Sequence, residues 1–121
     1  MECPVCGKYN FSEENSFDIC PICGWEDDGV QAGDHCCAGG ANHLSVNEAR
    51  IEFFLLRTAP VREAVLGCRR SFERVCRGIQ GRYAGLDYRK QPERARQREK
   101  EFKEAREKYL NELNAILQSI I

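Results

Sequence analysis

Two short runs near the start of the chain, Cys3-Pro4-Val5-Cys6-Gly7 and Cys20-Pro21-Ile22-Cys23-Gly24, repeat one C-P-x-C-G pattern. The two-residue gap lets both sulfurs of a run face one point, and the glycine permits the sharp backbone turn that brings them there. The 13 residues between Cys6 and Cys20 are enough for a chain reversal that returns the second run to the first. This spacing predicts one tetrathiolate metal centre built from Cys3, Cys6, Cys20 and Cys23. Zinc, one ion per chain, is the expected occupant, with iron as the alternative for a four-sulfur site. Four thiolates leave no open coordination position, so the ion is expected to be structural and not catalytic.

The chain has 121 residues and eight cysteines. It contains no apolar stretch long enough to span a bilayer, and Met1-Glu2-Cys3-Pro4 does not read as a signal peptide. A cytoplasmic location with no membrane association is therefore expected. In a reducing compartment the cysteines read as metal ligands and buried thiols in preference to disulfides.

Charge is distributed unevenly. Residues 1 to 48 hold one base, Lys8, and nine acids, a net −8, whereas the remainder holds 17 bases and ten acids, a net +7. Such asymmetry fits either a nucleic-acid-binding portion or two halves that neutralise each other.

The fold class expected is α+β: a small zinc-ribbon-like N-terminal module, residues 1 to 44, followed by a helical region, residues 45 to 121. The first segment has few large apolar residues, so metal binding, worth about 10 to 16 kcal/mol in finger peptides, is expected to supply the stability its core lacks. Tyr9-Asn10-Phe11 and Phe17-Asp18-Ile19 alternate apolar and polar residues and predict two short strands linking the knuckles in a hairpin. Ser45 and Glu48 have capping-box spacing and open a helix over about 45 to 57. Val61, Val65, Cys68, Phe72, Val75 and Ile79 mark a second over about 61 to 80. Pro92 starts a third, to about residue 120, whose apolar last turns suggest a homodimer through the C-terminal helix.

Three further groups could carry chemistry. His35, Cys36, Cys37 and His43 are candidates for a second metal or thiol site, although adjacent cysteines and the lack of two-residue spacing make a polar loop the simpler reading. A hydrolase or redox enzyme centred on the His35 to Cys37 loop is the least favoured functional class. Trp25, Glu26, Asp27, Asp28 and Gln31 form an acidic turn after the second knuckle and are candidates for partner binding. Arg69, Arg70, Arg74, Arg77 and Arg82 are candidates for contact with nucleic-acid phosphates, against which stand the interspersed glutamates. Cys68 and Cys76, about two turns apart, read as buried thiols.

Taken in order, Cys3 to Gly7, Ile19 to Gln31, Ala38 to Asn42 and Ser45 to Arg50 resemble the cysteine-rich CPCC family of small bacterial proteins, over roughly the first 55 residues. The resemblance implies a zinc-ribbon-like, metal-binding module and no particular activity. Val5 stands where the family name places a cysteine, which marks that position as dispensable for ligation. The arginine-rich helices have no support from the resemblance.

The sequence thus points to a non-enzymatic, metal-stabilised protein-interaction module with an acidic head. An immunity or antitoxin-like inhibitor of a basic, nucleic-acid-handling protein is its most specific form. A nucleic-acid-binding regulator using the helices after residue 55 is the alternative.

Overall fold

A computed structural model describes all of residues 1–121 and contains four helices: α1 (Gly29–Gly33), α2 (Val46–Leu56), α3 (Arg62–Arg82) and α4 (Pro92–Gln118). The chain divides into two compact units, Met1–Pro60 and Val61–Ile121. α2 belongs to the first of these units.

The expected α+β fold with a zinc-ribbon hairpin is incorrect: the structure is helical and has no sheet. Its only β pairing is two isolated antiparallel bridges, Glu2 with Asn10 and Ile19 with Glu26. The reason lies in the backbone of the linking segment. Asn15 and Phe17 adopt left-handed φ values of 55° and 59°, which no β-strand accommodates. Each knuckle instead pairs its own flanks: the Cys3 amide donates to Tyr9 and the Cys20 amide to Trp25, both at 2.8 Å.

In the first unit the core gathers on the knuckles. Cys3, Phe11, Cys20, Trp25 and Val46 are buried together, with Val5, Tyr9 and Ala49 packed against them. Val46 and Ala49, three residues apart on α2, place one helical face on the cysteines. α2 opens on a complete capping box: the Glu48 amide donates to Ser45 Oγ and the Ser45 amide to Glu48 Oε1. Arg50, one turn further on, donates from Nε to the Pro4 carbonyl at 2.8 Å, which joins α2 to the first knuckle.

The second unit is an antiparallel helical hairpin. Phe72 of α3 stacks on Tyr109 of α4 with ring centroids 4.7 Å apart, and Arg82 bridges to Glu101 at 2.8 Å. The contact partners run in opposite directions along the two helices. Val65, Phe72, Cys76 and Ile79 are the buried positions of α3, and Ala95, Tyr109 and Leu113 those of α4; burying each large apolar side chain stabilises by about 1.5 to 3 kcal/mol. α3 carries three glycines, Gly67, Gly78 and Gly81, each costing about 0.8 to 1.0 kcal/mol relative to alanine in a helix interior. No packing requires them: a Cβ on Gly81 would meet nothing within 4 Å, and on Gly67 or Gly78 only a guanidinium nitrogen, of Arg70 or Arg82.

Candidate metal centre

The two knuckles are built alike. In each, the first cysteine carbonyl accepts from the glycine amide four residues on, Gly7 to Cys3 and Gly24 to Cys20, both at 2.9 Å. Gly7 and Gly24 have φ values of 67° and 81°, the left-handed conformation that glycine adopts without penalty and that closes the turn. In each, the first cysteine's sulfur also accepts from the amides two and three residues on: Val5 and Cys6 for Cys3, Ile22 and Cys23 for Cys20.

The sulfurs of Cys3, Cys6, Cys20 and Cys23 all lie within 4.8 Å of one another. Between the knuckles, the Cys3 sulfur lies 3.5 Å from that of Cys23 and the Cys6 sulfur 3.6 Å from that of Cys20. Metal–sulfur bonds of about 2.3 Å in a tetrahedron put the sulfurs about 3.8 Å apart, so the set fits a single tetrahedral ion. Cys3 and Cys20 are buried and Cys6 and Cys23 half-buried, which leaves the centre open toward solvent on one side.

Electrostatics argue the same way. Burial raises the Cys3 thiol above its ordinary range, against the Cys6 and Val5 amides. Burial also raises Cys23 strongly, opposed by the Trp25 amide and reinforced by Cys3 and Cys20. At Cys20 burial is outweighed by the Cys23 and Ile22 amides, and the net shift is downward. Four sulfurs this close cannot all be anionic without a cation between them, and a bound metal ion reverses that balance.

These features accompany a match to a family model described as Cysteine-rich CPCC, over residues 1–64. The chain belongs to the cysteine-rich CPCC family. No curated protein matches the chain. The matched segment takes in both knuckles, α1, the following loop and α2, so the family's region contains all four converging cysteines and the core built on them.

The acidic turn after the second knuckle is not a presented face. Asp27 and Gln31 are 0% exposed, and Trp25 and Asp28 are also buried. Asp27 Oδ2 accepts from the Ser16 amide and hydroxyl. Asp28 caps α1 by accepting from Val30 and Gln31, and its other oxygen takes the Ala41 amide. The Ala41 bond, against burial and together with the Gln31 and Val30 amides, holds the Asp28 carboxyl below its usual range. Gln31 donates from Nε2 toward the carbonyls of Cys37, Asn42 and Leu44 and accepts at Oε1 from Asn42. These residues are occupied in holding the loop. Glu26 alone of the group is half-buried, with its backbone bonded to the Asn42 side chain.

The other candidates are spread apart. His35, Cys36, Cys37 and His43 form no group of three converging ligand atoms. Cys36 is exposed; its amide donates to Asp34 Oδ1 and its sulfur accepts from Asn47 Nδ2, while Gln31 bonds the Cys37 carbonyl. Burial, then the Glu112 carboxylate, raise the Cys68 thiol, and burial with Glu73 pushes Cys76 up to about 11. Of the arginine candidates, Arg69 pairs with Glu73 and Arg82 with Glu101, whereas Arg70, Arg74 and Arg77 are exposed along α3.

Sequence reasoning misses the surface beside the second knuckle. Phe17, Ile19 and Ile22 are 53%, 63% and 47% exposed. No sequence signal marks this surface, since Val5 holds the same place in the first knuckle as Ile22 in the second and yet packs on the core.

Proposed function

We propose that the chain is a non-enzymatic module, stabilised by one zinc ion on Cys3, Cys6, Cys20 and Cys23, that docks a protein partner on the surface around its second knuckle. The observation carrying this reading is Phe17, a bulky residue in a left-handed backbone conformation whose ring is turned outward. Such a conformation costs about 1 to 3 kcal/mol and persists only where its surroundings impose it. Here Ser16 is bonded to the Asp27 carboxylate and the Gly29 amide to Asn15 before Phe17, and the Asp27 amide donates to the Asp18 carbonyl after it, so the segment around buried Asp27 clamps the loop on either side of Phe17. The clamp keeps an aromatic ring in solvent, in the same stretch of chain as exposed Ile19 and Ile22.

The partner is a basic protein. Residues 1 to 60 hold three bases against ten acids, a net −7, and Glu13, Glu14 and Asp18 are exposed near Phe17. An apolar centre with a charged rim is the ordinary anatomy of an interface. An immunity-type inhibitor of a basic, nucleic-acid-handling protein is the specific form of this reading that the charge supports. A closed four-sulfur sphere, in turn, suits a scaffold and offers no position for a substrate.

Affinity capture at native expression tests the reading, comparing the unaltered chain with Phe17→Ser/Ile19→Ser/Ile22→Ser. The expected result is a basic partner retained by the first and lost by the variant while the variant keeps its metal. An identical set of partners on both would overturn it.

A further inference from the structure

We propose that the outward face of α3 binds the phosphodiester backbone of a nucleic acid, with Arg70, Arg74 and Arg77 as the phosphate contacts. At 3.6 residues per turn these three arginines fall on the side of the helix opposite the buried Val65, Phe72, Cys76 and Ile79. All three are exposed. Steps of four and three residues align them in one stripe about 10 Å long.

Nothing inside the protein accounts for the stripe. The residues one turn from Arg74 are Arg70, Ser71, Arg77 and Gly78, so it has like charges on both sides and no acid. Glu73, one turn from both Arg70 and Arg77, already accepts from Arg69, and Glu63 lies about two turns before Arg70. Like charges at this spacing destabilise a helix on their own. The three glycines share the arginine face, Gly67 before the stripe and Gly78 and Gly81 at its end. Where a methyl group would fit without displacing backbone, the helix presents bare main chain instead, which lets an external backbone approach closely.

A nucleic acid fits this face better than an acidic protein does. About 10 Å is three phosphate steps at roughly 3.4 Å per nucleotide along one strand. Arginine's planar fork takes a phosphate through two parallel hydrogen bonds. No aromatic or large aliphatic residue stands between the arginines to serve as the apolar centre a protein interface needs. Residues 61 to 121 as a whole carry 15 bases and nine acids, a net +6.

Fluorescence anisotropy on the full, metal-containing chain decides the matter, with a single-stranded RNA, a DNA duplex and polyglutamate as probes. One or both nucleic acids should bind at low salt, with a plot of log affinity against log salt sloping at about −2 to −3, as three phosphate contacts require. Arg70→Gln/Arg74→Gln/Arg77→Gln should weaken binding at least about tenfold and flatten the slope. The charge-matched control Arg69→Gln/Arg82→Gln/Arg96→Gln, which removes arginines already paired with Glu73, Glu101 and Glu93, should keep most of the affinity. Gly67→Ala/Gly78→Ala/Gly81→Ala should raise the melting temperature of the hairpin and yet weaken binding severalfold. No binding to either nucleic acid at low salt overturns the proposal. So does polyglutamate binding as tightly as they do, or a control variant as defective as the stripe variant.

Discussion

The side-chain oxygen of Gln31 accepts two hydrogen bonds from one residue, Asn42: from its backbone amide at 3.1 Å and its side-chain amide at 3.0 Å. Gln31 belongs to a five-residue helix and Asn42 to a loop eleven positions later, and the pair closes the segment between them. Gln31→Leu would leave the carbonyls of Cys37, Asn42 and Leu44 without their donor in a buried site. A loss of about 3 kcal/mol or more is expected, read as a lower denaturant midpoint with unchanged slope.

Metal content supplies a second test. Elemental analysis should find one zinc per chain, and Cys3→Ser or Cys20→Ser should abolish it. Trp25 is the only tryptophan and is buried against the knuckles. Chelation should therefore shift its emission to that of an exposed indole, and acidification should do the same as the ligand thiols take up protons.

Thiol reactivity should follow the environments of the eight cysteines. Exposed Cys36 should alkylate first. Cys76, buried and pushed up to about 11, should remain unmodified near pH 8 until the chain unfolds, because the thiolate is the nucleophile. Timed alkylation followed by peptide mass spectrometry orders the sites, and early labelling of Cys76 would contradict the hairpin packing described above.

Asp28 gives stability a defined dependence on pH. Its carboxyl is depressed in the folded chain, so the unfolded chain binds the proton more readily. The stabilisation is in place above the ordinary aspartate value of about 3.9 and is lost as pH falls through the lower folded value. Asp28→Asn should flatten the acid limb of a stability profile and cost about 1 to 3 kcal/mol at neutral pH, because asparagine keeps an oxygen for the cap but has no second one to accept from the Ala41 amide.

The legible parts of this chain are those with short-range rules. The C-P-x-C-G spacing identifies the four sulfurs that converge, and the Ser45 and Glu48 pair marks where α2 begins, because each depends on residues three or four positions apart. The acidic turn is misread for the opposite reason. Three carboxylates in a row look solvated, and only the positions of Ser16 and Ala41, 11 residues before Asp27 and 13 after Asp28, show why two of them are inside. The expected strands fail likewise, since the alternation around Phe17 carries no sign of the left-handed backbone that Asp27 and Gly29 impose on its neighbours. The arginines are found as a class by composition, but sorting them needs the carboxylates that α3 and α4 place beside Arg69 and Arg82.

The likeness of the two knuckles has a kinetic consequence. Each closes through a bridge between residues no more than eight apart, Glu2 to Asn10 and Ile19 to Glu26, so each can form as a local loop with little entropy of closure. Only one non-local step remains, bringing together two preshaped pairs of sulfurs across the 14 positions that separate Cys6 from Cys20. Metal uptake would then be capture by the two cysteines of one loop followed by closure from those of the other. Its rate should depend on the length of the linker and hardly at all on the sequence of the helices beyond it.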